Sequence, residues 1–164
     1  MSDETVIGVI PTARIKTGLF SSKAFTLVFT DRRLILAEMT KELRSAEIER
    51  ARAEAKAQGG GRLSQFGAQL KTSVRFGSQY MGADPAAILA ETPGNAAVSP
   101  ADVRSLKIER KTRNAGSDDD FEQQFLKITI ETAAGKQTYE TDGEKPKLDE
   151  ARRLAAGVFG AAVR

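Results

Sequence analysis

The chain has 164 residues, 40% apolar and 29% charged, with 25 basic residues against 22 acidic ones. It contains neither cysteine nor histidine, which excludes disulfide stapling and thiolate chemistry and removes the commonest general base and the usual zinc ligands. What remains is one ordinary domain, or one domain carrying an insertion, with enough apolar residues to fill a core unaided by metal or cofactor.

The acidic start Met1–Glu4 runs straight into a strand-like segment, so no secretory leader is expected there. Thr5–Ile15 reads as the first strand, and Pro11 within it predicts an edge position or a bulge. The loop Lys16–Ser22 leads into Phe25–Leu36 (FTLVFTDRRLIL), two apolar arms around a charged turn, which is a β-hairpin signature. Its alternation predicts a half-buried sheet, with Phe25, Leu27 and Phe29 on one face.

Composition changes after Glu38. Met39–Gln58 is rich in Ala, Glu, Arg and Lys and is predicted helical, with a thin stripe of Met39, Leu43, Ala46, Ala53 and Ala57. Gly59–Gly61 breaks it. A second helix is predicted over Arg62–Met81, where Leu63, Phe66, Leu70, Val74 and Met81 share a face and Phe76 and Tyr80 project off it. Asp84 and Pro85 have the chemistry to start a short third helix, Ala86–Glu91.

Strand signals return over Val103–Lys111, Phe121–Glu131 and Lys136–Thr141, a predicted three-stranded meander. Pro146 is expected to open a final helix whose core stripe is Leu148, Ala151, Ala155, Val158 and Ala162.

Three pieces carry a resemblance. The run TDRRLIL (Thr30–Leu36), the segment SPADVRSL (Ser99–Leu106) and an F…T…G…Y hairpin from Phe125 to Tyr139 occur in that order before a terminal helix. Together they resemble bacterial pleckstrin-homology-like domains, relatives of GRAM domains, over Thr5–Glu38 and Ala96–Val163. The resemblance implies an α+β, mainly β fold, a PH-like antiparallel barrel or bent sheet capped by the C-terminal helix. Residues 1–38 and 93–164 would form that domain, with 39–92 as a helical insertion where the family has a short loop. It further implies a non-catalytic binding or scaffolding module acting in the cytoplasm.

Two groups of residues are candidate sites. Arg14, Lys16 and Lys23 surround Leu19 and Phe20; by the resemblance, Lys16 and Lys23 match the first two positions of a basic lipid-binding motif, while Phe25 stands at the third. An apolar tip between cations suits an anionic membrane surface; the competing reading has Leu19 and Phe20 closing one barrel end. In the insertion, Leu63, Phe66, Leu70, Phe76 and Tyr80 are candidates for binding a protein partner or a second copy, against packing on the chain's own sheet or on lipid. A protein partner is the leading expectation and an anionic membrane surface the second, with peripheral attachment.

Other features read as bland. Gly59–Gly61 before Arg62 lacks the residues of a phosphate-binding loop and reads as a hinge. The strip Lys107, Arg110, Lys111 and Arg113 faces Asp118–Asp120, a pairing expected to neutralise itself, and the three aspartates lack the spacing of a calcium loop. Charges of both signs are interleaved, which argues against nucleic acid. No catalytic constellation, metal or cofactor is expected.

Overall fold

A computed structural model describes residues 3–57, 77–114 and 122–164. The alternating apolar segments form seven strands: β1 (Val6–Lys16), β2 (Ser22–Thr30), β3 (Leu34–Glu38), β4 (Ala96–Val98), β5 (Val103–Asn114), β6 (Glu122–Thr132) and β7 (Gly135–Thr141). They make one curled sheet of order β4-β3-β2-β1-β7-β6-β5, every neighbour antiparallel. The fold is thus α+β and mainly β, as expected. The edge strand β4 is an addition, because Ala96-Ala97-Val98 is too short and too weak in β-formers to stand out in sequence.

Pro11 sits at a bulge, where the register of β1 on β2 shifts between Ile10 and Ala13 and Thr12 takes a positive φ of 55°. Beyond the bulge β1 pairs with β7 only at Ala13↔Thr141 and Arg14↔Glu140. The end of β1 therefore leaves β7 and continues with β2 as a projecting hairpin.

Helices α1 (Lys41–Ala57), α2 (Pro85–Glu91) and α3 (Leu148–Phe159) and two 3-10 turns, Pro100–Asp102 and Gly160–Ala162, accompany the sheet. Asp84 caps α2 by accepting from the Ala86 N–H, with Pro85 in its first turn, as its sequence predicts. The buried face of α1 is Glu47, Ala51 and Ala55, so Ala46, Ala53 and Ala57 of the expected stripe are exposed. Helix α3 starts at Leu148, two residues after Pro146. It lays Ala151, Ala155 and Phe159 on the concave face of the sheet, against Ile10, Leu27, Phe29, Leu106, Ile108, Leu126 and Ile128. A Cβ on Gly8 would lie 2.3 Å from the Leu154 side chain. Gly8→Val is accordingly expected to cost about 2 kcal/mol, read as a shift in the urea midpoint.

The convex face of β2 and β3 is buried as well. Val28, Ile35 and Ala37 form a second cluster with Val6, Tyr80 and Ile88. Half-burial was the expectation for this hairpin; both faces are covered because residues 77–91 fold back over it. Asn95 secures the arrangement, its side chain accepting from the Glu38 N–H at 2.7 Å and donating to the Ile88 carbonyl at 2.7 Å.

The TDRR turn is a structural device. The Thr30 hydroxyl accepts from the N–H groups of Arg32 (3.1 Å) and Arg33 (2.9 Å) and donates to Glu4 Oε1 at 2.7 Å. Arg33 closes on the Glu4 carboxylate with two bonds of 2.9 Å. Asp31 accepts from the Thr5 N–H at 2.9 Å, tying the start of β1 to the turn.

Candidate functional site

The β1–β2 hairpin projects because its last pairs, Arg14↔Ala24, Ile15↔Lys23 and Lys16↔Ser22, extend past the point where β7 lets go. The loop is closed at its neck: the Thr17 N–H donates to the Ser21 carbonyl at 3.0 Å, and the two hydroxyls are 3.0 Å apart. A Cβ on Gly18 would lie 2.8 Å from Ser21 Oγ, so this tight neck favours glycine there. Leu19 and Phe20 are then driven outward and are 90% and 95% exposed. They do not close the barrel end, which corrects the bland reading of this pair. Burial of aromatics is a tendency of chains with somewhere to put them; a five-residue tip offers no such place.

The cations around the tip divide into two groups. Arg14 is committed to Asp142, with contacts of 2.8 and 3.3 Å, and that hydrogen bond raises its pKa further. Lys23 lies 3.7 Å from Glu38. Lys16 has no ion pair among the described residues, nor do Lys127 and Lys136. These three lysines line an open groove of about 580 Å³ between the hairpin and β6–β7, with Ser22, Thr138 and Glu140. Lys127 and Lys136 lie more than a hundred positions from Lys16 in sequence. Only the β1–β7 pairing brings them together, and no local signal marks them.

On the other side of the hairpin a smaller hollow of about 400 Å³ is lined by Arg14, Lys23, Lys41 and Arg44, but also by Glu38 and Glu42. The two carboxylates offset part of its positive charge. The groove on the β7 side is the more cationic of the two.

The insertion residues fare differently. Leu63, Phe66, Leu70 and Phe76 lie outside the described residues, as do Gly59–Gly61 and Asp118–Asp120. Tyr80, expected on a partner-binding face, is only 5% exposed within the convex cluster. Its hydroxyl donates to Glu91 at 2.7 Å, and burial, reinforced by that carboxylate, pushes the phenol pKa well above its ordinary value. Tyr80 is core. The basic strip on β5 is largely paired: Lys107 and Lys111 both reach Glu109 (3.1 and 3.4 Å), Arg110 reaches Glu144 (3.3 Å), and Arg113 lies 4.8 Å from the centre of the Phe125 ring.

No family model matches the chain, and no curated protein matches it. Among solved structures it is similar to the C-terminal domain of an unknown protein from Leishmania infantum. That likeness has 10% identity and a TM-score of 0.44, and covers 95% of this chain and 84% of that one. Among the described residues no helix is long and apolar enough to cross a membrane.

Proposed function

We propose that this chain is a non-catalytic, pleckstrin-homology-like binding module that docks peripherally on anionic membrane surfaces through its β1–β2 tip, in the cytoplasm. The observation that carries the reading is the pair Leu19–Phe20, nine-tenths exposed on a closed, projecting loop. Two adjacent large apolar side chains held in water are unfavourable for the isolated protein. Inserting them into the acyl boundary gains about 3–5 kcal/mol. Lysines near an anionic leaflet add about 1 kcal/mol each, and Lys16, Lys127 and Lys136 are free of ion pairs among the described residues. The strand order, with a helix plugging one face of a curled antiparallel sheet, supports the PH-like reading of the scaffold.

A non-catalytic role is supported by what the perturbed groups do. Glu4, Arg14, Tyr80 and Glu109 each owe their shifted ionisation in part to a partner within the chain, and Tyr139 owes its shift to burial in the core. Of these, only Arg14 lines either groove beside the tip, where Asp142 holds it as a cation, and a guanidinium does not serve as an acid or base at ordinary pH.

Sedimentation with vesicles tests the proposal. Binding to vesicles containing about 30% phosphatidylserine is expected, weakening as salt rises, with little binding to neutral phosphatidylcholine. Leu19→Ser with Phe20→Ser should lower partitioning about 100-fold without changing the thermal midpoint, since neither side chain packs on the fold. Lys16→Glu with Lys136→Glu should lower it about 30-fold at low salt. Equal binding by the serine variant would overturn the assignment of the tip.

A further inference from the structure

The sheet has an open edge at β5, and the chain itself shows that this edge accepts a strand. After α3, a single 3-10 turn (Gly160–Ala162) brings Val163 beside Leu106 in a parallel bridge. The Arg164 N–H donates to the Leu106 carbonyl at 2.9 Å, and the Ile108 N–H donates to the Arg164 carbonyl at 3.3 Å. The Ile108 carbonyl is then occupied by the Arg152 guanidinium, at 3.0 and 3.2 Å.

In a strand, the N–H and C=O of one residue point to the same side, and those of the next residue to the other. Since Leu106 and Ile108 present theirs to the edge, Arg110, Thr112 and Asn114 present theirs there too. No described backbone group pairs with these three residues on that side. Exposed edges are ordinarily blunted by proline, bulges, short length or charged side chains, and of these devices Arg110–Asn114 has only charge, in Arg110, Lys111 and Arg113, which repels a basic strand but not an acidic one. This one continues straight to Asn114, with its only register shift at the far end, between Val103 and Ser105.

We infer that the edge Arg110–Asn114 is a second binding site, which takes an extended acidic peptide segment of a partner protein as an added β-strand. N–H and C=O groups at strand spacing, with no partner among the described residues, specify an extended backbone rather than a helix or a nucleic acid. Charge selects its composition: β5 carries five basic residues, Arg104, Lys107, Arg110, Lys111 and Arg113, against one acidic residue, Glu109, and although Glu109 and Glu144 take up part of that charge the strand stays net positive. Hydrogen bonds and charge from Lys107 and Lys111 hold the Glu109 carboxyl below its ordinary range, so it stays ionised and paired. The register runs β5 away from the β1–β2 tip, so Asn114 lies at the opposite end of the sheet. A module seated on a membrane by its tip would leave this edge accessible to a partner.

The probe is a capped heptapeptide alternating glutamate and valine, titrated into the whole chain and followed by amide hydrogen exchange. Exchange at the Arg110, Thr112 and Asn114 amides should slow about 10-fold at saturation, while the Ile108 amide, already bonded to Arg164, stays unchanged. Thr112→Pro removes an N–H that takes no part in the β5–β6 ladder, a position where proline is tolerated. It should weaken binding about 10-fold with the unfolding midpoint preserved. The same loss is expected for a peptide N-methylated at alternate residues, which tests the edge on the unaltered protein. Lys111→Glu should weaken binding several-fold at low salt. Equal binding by the N-methylated peptide, exchange that does not slow, or no binding at all would each overturn the inference.

Discussion

Replacing Arg33 by methionine is expected to lower the unfolding free energy by about 3 kcal/mol, because it removes the guanidinium that neutralises the buried Glu4 carboxylate. The Glu4 side chain is 5% exposed, and Arg33 meets it with two hydrogen bonds of 2.9 Å. The double variant Glu4→Gln, Arg33→Met should recover part of this loss, since an uncharged pair leaves no unpaired ion in the protein. Urea titrations of the four proteins of this cycle measure the coupling. The pair also sets a pH dependence. Burial opposes ionisation of Glu4, but hydrogen bonds from Arg33 and Thr30 and the guanidinium charge outweigh it and hold its pKa below the ordinary 4.5. A depressed folded-state pKa means that Glu4 contributes stability above its unfolded value and loses it as pH falls through the folded one. The difference between wild type and Glu4→Gln should therefore be full at neutral pH and shrink in acid. A pH-independent difference would show that the carboxylate's charge is not what Arg33 stabilises.

Tyr80→Ala is expected to destabilise the chain by about 3 kcal/mol and Tyr80→Phe by about 1 kcal/mol. The first removes a 5%-exposed ring from between Val28, Ile35 and Ile88; the second removes only the hydroxyl that donates to Glu91 at 2.7 Å. Thermal or urea midpoints separate the two. If Tyr80→Ala left stability unchanged, residues 77–91 would be an appended surface rather than part of the core. The same measurement bears on excising residues 39–92. Because Tyr80 and Ile88 cover Val28, Ile35 and Ala37, a short loop in their place would expose the convex face of β2 and β3.

Much of the scaffold was legible in the sequence because its signals are local. Alternation located β2, β3, β6 and β7, the Asp84–Pro85 pair located the start of α2, and the Ala151–Ala155 stripe assigned the buried face of α3. Pro11 announced its bulge. The weaker readings fell where a short range of sequence holds too little information. Ala96–Val98 becomes a strand only because Leu34–Leu36 lies alongside it, and α1 buries Glu47 in place of the expected alanines.

The candidate site divides in the same way. By itself the sequence determined which residues are at the β1–β2 tip and that cations flank an apolar pair there, since these are neighbours along the chain. Only the tertiary structure decided that Leu19 and Phe20 face solvent, that Arg14 is committed to Asp142, and that Lys127 and Lys136 join Lys16 beside the tip. It also decided that Tyr80 belongs to the core and that the β5 edge is half filled by Val163 and Arg164. The physical reason is common to all of these. Exposure, ion-pair choice and edge pairing depend on which distant segments the sheet brings side by side, and the period of a strand says which face a residue is on without saying what lies across from it.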